Sequence, residues 1–280
     1  HYAYDSQQGK LLDSWTAFPG SRDIPMSLSE MHERLQFSQE LGFRTLLYFA
    51  DGTNTDSGAS TFRPGWVLRD KQGNTMGGWK GPDSVGKPVR MDPSVPELQE
   101  WYCGYLRALL REFGDEIDGL VWDETFYIPV GTVSYTRETP AYADRAMMNL
   151  VSRLTQITQD YQETNEDLVF LASDCGRTPY ALVAHGTYQD SWCDPAAWGP
   201  SMFANYRNCL WSCNWYPVSH SKRNMIAARK YGEPQALSNG WGDNSGPHEM
   251  PEKVLDSVID RFMWNVATGR DRVKYLLKTP

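Results

Sequence analysis

The 280-residue chain lacks most of the signatures that announce a chemistry at once. Its histidines, His1, His32, His185, His220 and His248, show neither H-x-H nor H-E-x-x-H spacing, so a hydrolytic metal site has no support and no metal is expected. No G-x-S-x-G elbow and no phosphate-binding glycine loop occur, which argues against a nucleophilic serine and against nucleotide chemistry. The glycine-rich stretch from Gly73 to Gly86 has no strand-turn-helix context and reads as a long loop over a site. No cofactor is expected. Apolar runs stop well short of the roughly 18 residues a membrane span needs, so none is expected. Positive charge is the scarcer sign: 27 Lys and Arg against 35 Asp and Glu leave a net charge of −8, which disfavours nucleic acid and anionic membranes but not a neutral partner. Cysteines are few and odd in number (Cys103, Cys175, Cys193, Cys209, Cys213), without zinc-ribbon spacing, and buried free thiols are the default reading. The opening His1-Tyr2-Ala3-Tyr4-Asp5 has no basic stretch or apolar core of a leader. The chain reads as cut from something longer, with an extracellular or periplasmic location expected.

What is present begins with Ile117-Asp118-Gly119-Leu120-Val121-Trp122-Asp123-Glu124, an apolar run that ends in two adjacent carboxylates. A strand buried on both faces wants uninterrupted apolar residues, and it stops at acids where the sheet opens to water or a ligand. Upstream, Ser94 reads as a helix cap with Pro96 in the first turn, and Leu98, Trp101, Tyr102, Tyr105, Leu106, Leu109, Leu110 and Phe113 follow at helical spacing until Gly114. Further strands are expected over 44–50, 168–172, 181–188, 209–215 and 235–239, with Tyr2 to Tyr4 as the tail of another. Helices are expected over 27–41, 96–113, 140–161, 222–230 and 251–267. Strand-then-helix alternation predicts an α/β fold with a mostly parallel sheet: a (β/α)8 TIM-barrel-like catalytic domain over 1–280, incomplete at its N-terminal side, because only six or seven strands are accounted for.

Most strand ends carry a polar residue where the catalytic face of a barrel would be: Asp51, Asp123 with Glu124, Asp174, Asp190 and Asp243. Aromatics crowd the same segments, among them Trp122, Trp192, Trp211 and Trp241, whose flat faces suit the apolar side of a sugar ring. Converging carboxylates and aromatics make a cleft for holding hydroxyl groups and moving protons. Asp174 and Asp194, the latter before Pro195, also fit as loop braces, and His185 fits as a core residue or a hydroxyl partner.

These residues resemble the α-galactosidase-like glycoside hydrolases, the clan that includes glycoside hydrolase family 36. Met91-Asp92-Pro93 through Trp101, followed by Ile117-Asp118-Gly119-Leu120-Val121-Trp122-Asp123, is similar to the family's helix and "I-D-x-x-K-W-D" strand. Ser173-Asp174-Cys175-Gly176-Arg177 and Gln189-Asp190-Ser191-Trp192-Cys193-Asp194 resemble its Cys/Gly/Arg element and its "S-D-x-T-D" motif. The resemblance implies a nucleophile at Asp123 and an acid/base at Asp190. Val121 stands where the family has Lys, and Gln189 where it has Ser, which implies a divergent member.

Glycoside hydrolysis needs two carboxyl groups astride the scissile bond, one ionised and one protonated. Desolvation among Tyr188, Trp192 and Cys193 suits Asp190 to hold the proton, and a hydrogen-bonded strand end suits Asp123 to stay ionised. Glu124 competes with Asp123 for the nucleophile, and Asp194 with Asp190 for the acid. The cleft is expected to be lined by Asp51, Trp122, Glu124, Asp174, Arg177, His185, Trp192, Asp194, Trp211, Trp241 and Asp243. The expectation is a glycosidase acting on an α-glycoside, with retention if Asp123 and Asp190 lie roughly 5–5.5 Å apart and inversion at about 6.5–9.5 Å, retention being the expected outcome; its partner is an oligo- or polysaccharide. The alternative is a barrel that binds glycans or serves a structural role without cleaving them.

Overall fold

The computed structural model describes residues 2–15, 26–50, 53–54, 63–77, 88–123, 128, 130–166, 168–173, 183–189, 209–212 and 235–236. They divide into two compact units, His1–Ala172 with Val183–His185, and Ser173–Leu182 with Gly186–Pro280. The first runs β1 (Tyr2–Asp5), β2 (Lys10–Trp15), α1 (Leu28–Glu40), β3 (Leu46–Ala50), β4 (Thr53–Asn54), β5 (Pro88–Val89), α2 (Pro96–Phe113), β6 (Gly119–Asp123), β7 (Val133–Ser134), β8 (Ala141–Tyr142), α3 (Ala143–Tyr161) and β9 (Val169–Ser173).

Three of these strands lie parallel, with β6 between β3 and β9. Leu46 to Ala50 pair with Gly119 to Asp123 on one side, and Gly119 to Trp122 with Val169 to Ala172 on the other. Alternation along the pleat sorts the side chains. Leu120, Trp122, Phe170 and Ala172 expose 0% of their surface, and Trp122 packs 5.2 Å from the Tyr102 ring of α2, so the even positions make the helix-covered face. Gly119 lets the three strands approach: a Cβ there would lie 2.6 Å from the Val169 carbonyl oxygen and 2.7 Å from Leu46 Cδ2.

Helix α2 keeps the bounds its sequence predicts, with Pro96 in its first turn and Gly114 as C-cap. Leu98, Tyr102, Tyr105, Leu106, Leu109, Leu110 and Phe113 are buried, each contributing about 1.5–3 kcal/mol. Helix α1 is attached differently. A reciprocal capping box joins Ser27 and Glu30 at its start, but Leu35 is its one buried residue. Polar contacts do the rest: His32 Nδ1 lies 2.6 Å from Glu116 Oε2, His32 Nε2 3.2 Å from Glu112 Oε1, and Gln36 donates to Glu116. Below the sheet, the Asn165 side-chain amide donates to the carbonyls of Gly114 and Ile117, both at 2.8 Å.

Three expectations change. Tyr2–Tyr4 is not a barrel strand: β1 pairs antiparallel with β2 in a separate hairpin. Its turn is built by Asp5, whose carboxylate accepts the Gln7 and Gln8 amides at 2.9 and 3.1 Å. Tyr4 of that hairpin seats against α2, edge-on to Trp101 and Tyr105 at Gly104. Ser94 does not cap α2: Val95 is the N-cap, and Ser94 turns its hydroxyl to Asp92 instead. Helix α3 begins at Ala143 instead of Pro140, because Ala141 and Tyr142 pair with Ser134 and Val133 first.

The second unit holds β10 (Gly186–Gln189), β11 (Cys209–Ser212) and β12 (Gln235–Ala236), parallel, with β11 in the middle. The helices expected over 222–230 and 251–267 lie outside the described residues.

Candidate active site

Strand β6 has an acid at each end, and the two ends differ in kind. Asp118, before the strand, accepts the Thr45 amide at 2.7 Å and pairs with the Arg44 guanidinium, fastening β6 to β3. Asp123 closes the opposite, C-terminal end, in register with Ala50. It follows Trp122 directly along the strand.

The connections leaving the C-terminal ends of β3 and β6 are knitted together. After β3, Thr53 and Asn54 pair with Val89 and Pro88, and Val67 bridges Met91. The Leu68 amide donates to the Arg90 carbonyl at 2.8 Å, and the Arg90 amide to Met76 at 3.0 Å. The connection after β6 joins this layer where the Tyr135 amide donates to Arg69 at 2.9 Å. Two charged residue types sit inside it: Arg90 at 1% exposure and Asp92 at 0%. The sequence reading missed both, taking Met91-Asp92-Pro93 as the lead into a helix. A buried Asp at 92 that organises a turn has a local signal only in the Asp-Pro-Ser pattern, where the Asp side chain reaches the amide two residues on.

Trp122, expected against a ligand, is instead a core residue, held between Tyr102 and Phe170 (ring centroids 6.3 Å from the latter). The period of two already contained this: if position 123 opens to a cleft, 122 does not. His185 is described too. Its backbone amide donates to the Phe170 carbonyl at 3.1 Å, and its Nδ1 accepts the Phe170 amide at 2.9 Å, so its proton resides on Nε2. Burial pushes its pKa below the ordinary histidine value, which keeps the ring neutral near pH 7. Trp211 is placed by its backbone in β11, opposite Gln189 of β10. Asp51, Glu124, Asp174, Arg177, Asp190, Trp192, Asp194, Trp241 and Asp243 lie outside the described residues.

Among the described residues no cluster of His, Cys, Asp and Glu is arranged to hold a metal, and no helix is long and apolar enough to cross a membrane. Cys103 is a buried free thiol whose pKa is raised by that burial.

No family model matches the sequence, and no curated protein matches it. Solved structures do match in fold. The cycloalternan-degrading enzyme from Trueperella pyogenes aligns over 96% of this chain and 44% of its own, at 14% identity and TM-score 0.55. The α-galactosidase from Lactobacillus brevis aligns over 90% and 34%, at 14% identity and TM-score 0.53. The α-galactosidase from Thermus thermophilus, solved with stachyose, aligns over 90% and 50%, at 17% identity and TM-score 0.52. The chain thus spans half or less of the length of each. At these identities the likeness is one of fold; two of these three structures are α-galactosidases and the third degrades cycloalternan.

Proposed function

We propose that this chain is the (β/α)-barrel part of a glycosidase that cleaves an α-glycosidic bond by double displacement, with Asp123 as nucleophile and Asp190 as acid/base. The observation that carries the reading is the position of Asp123: it ends a parallel strand, at the C-terminal end, in register with Ala50. Catalytic residues of barrel enzymes stand at strand ends of this kind. The fold shared with glycoside hydrolases supports the reaction class. The resemblance of the Asp190 segment to an acid/base motif supports its role.

In the proposed reaction the Asp123 carboxylate attacks the anomeric carbon while Asp190 gives its proton to the departing oxygen. Water then displaces the carboxylate, with Asp190 now taking a proton from it. Asp51, Asp174 and Asp243, at other strand ends in the sequence, are proposed to hold sugar hydroxyls.

The test is aryl-group release from a panel of nitrophenyl α- and β-glycosides, with natural oligosaccharides alongside. Asp123→Asn is expected to abolish turnover of every substrate the wild type cleaves. Asp190→Asn is expected to slow substrates with poor leaving groups by about 10²–10⁴ and activated ones far less, since a good leaving group needs little protonation. Equal losses on both classes would overturn the assignment of roles. Binding of glycans without cleavage by the wild type would make the domain a non-catalytic one.

A further inference from the structure

We propose that Asp92 is a positioning residue: its buried carboxylate locks the connection after β3 to the connection after β6 and so fixes the strand end where Asp123 stands. The catalytic half of this rests on Asp123 being the nucleophile; the lock itself does not.

Asp92 exposes 0% of its surface and is used on both oxygens. Oδ1 accepts the Ser94 amide at 2.9 Å and the Ser94 hydroxyl at 2.7 Å, which sets the turn into α2. Oδ2 accepts the hydroxyl of Ser134, 42 residues further along, in β7. From there the bonds run onward. Ser134 Oγ accepts the Thr136 amide at 3.1 Å, Thr136 Oγ1 donates to the Val67 carbonyl at 2.9 Å, and Thr136 Oγ1 accepts the Arg69 amide at 3.2 Å. One buried side chain therefore closes a ring through both connections. Removing it strands the buried Ser134 hydroxyl on one side and the half-buried Ser94 donors on the other, so both should loosen together. Both connections leave from the ends of β3 and β6, so loosening them frees the strand end from which they depart, and small misplacement of a reacting group is costly in rate.

Asparagine separates a lock from a mere space-filler. Its oxygen still accepts from Ser94, and its NH₂ can donate to Ser134 Oγ, whose own proton then turns to Thr136 Oγ1, 3.2 Å away. The chain closes again with one bond reversed.

The experiment compares wild type, Asp92→Ala, Asp92→Asn and Ser134→Ala by hydrogen exchange and by steady-state kinetics on nitrophenyl glycosides. Asp92→Ala is expected to lose amide protection over 63–77 and 130–142 together, with kcat down at least about tenfold and KM changed by less than about threefold. Asp92→Asn should recover both to within about threefold. Ser134→Ala cuts the bond between the two connections, and the acceptor of the Thr136 amide with it, but leaves the Ser94 turn intact; it gives the same pattern, smaller, should Asp92→Ala fail to fold. Protection lost only beside the substitution, or kcat unchanged in a variant whose two connections are freed, overturns the proposal. Joint loss of protection in a wild-type background that cleaves no glycoside leaves the lock standing and removes the glycosidase reading instead.

Discussion

At the scale of single residues, two histidines make opposite claims on pH. Burial of His32 works against its charge, but hydrogen bonds and charge from Glu116 and Glu112 outweigh it, and its pKa is raised. Its clasp on α2 is therefore complete below about pH 6.5 and fades as pH rises through the raised value. His185 is lowered by burial, so its neutral ring costs nothing above about pH 6.5, and stability is lost as pH falls toward its depressed value. Denaturant melts of wild type, His32→Gln and His185→Gln across this range should show the His32 difference only on the acidic side, at about 1 kcal/mol, since the partly exposed pair is screened. The His185 variant should lessen the acid-side decline; superimposable profiles would refute both. The strand end at Asp123 was legible because an apolar run ending in an acid is a local pattern. Asp92 was not, because its burial depends on Ser134, a partner no local window contains.

Among elements, the hairpin and α2 meet at a close joint. A Cβ at Gly104 would stand 2.3 Å from the Tyr4 hydroxyl oxygen, and the Tyr4 ring is flanked by Trp101 and Tyr105. Alanine raises helix propensity by about 1 kcal/mol over glycine, yet overpacking here costs about 1–3 kcal/mol. Gly104→Ala should thus destabilise the protein by roughly 1 kcal/mol. In a Tyr4→Leu background the same change should stabilise it by up to about 1 kcal/mol. Thermal melts of the four proteins decide it, and the same sign in both backgrounds would exclude the notch. Helix α2 was legible to its last residue because proline and glycine bracket an unbroken apolar period. The hairpin was not: Tyr2-Ala3-Tyr4 reads as a strand in either setting, and only the turn chemistry of Asp5 selects its partner. The late start of α3 has the same origin, a two-residue pairing that outranks a proline signal.

For the whole molecule, a net charge of −8 bears on what is recruited. A neutral glycoside gains nothing from the protein's field, so kcat/KM on neutral aryl glycosides should change by less than about twofold across roughly a tenfold range of salt. A steep dependence on these neutral substrates would refute it. The grip of Asn165 on Gly114 and Ile117 carries a last consequence. The side chain sits in the segment that enters β9 and holds the segment that enters β6, so both strands start from a common level, Gly119 beside Val169. Each strand is five residues long, so their far ends arrive at the same height. Strand length is then a ruler, and one residue inserted between Gly119 and Asp123 would lift the aspartate by about 3.3 Å and change its parity in the pleat.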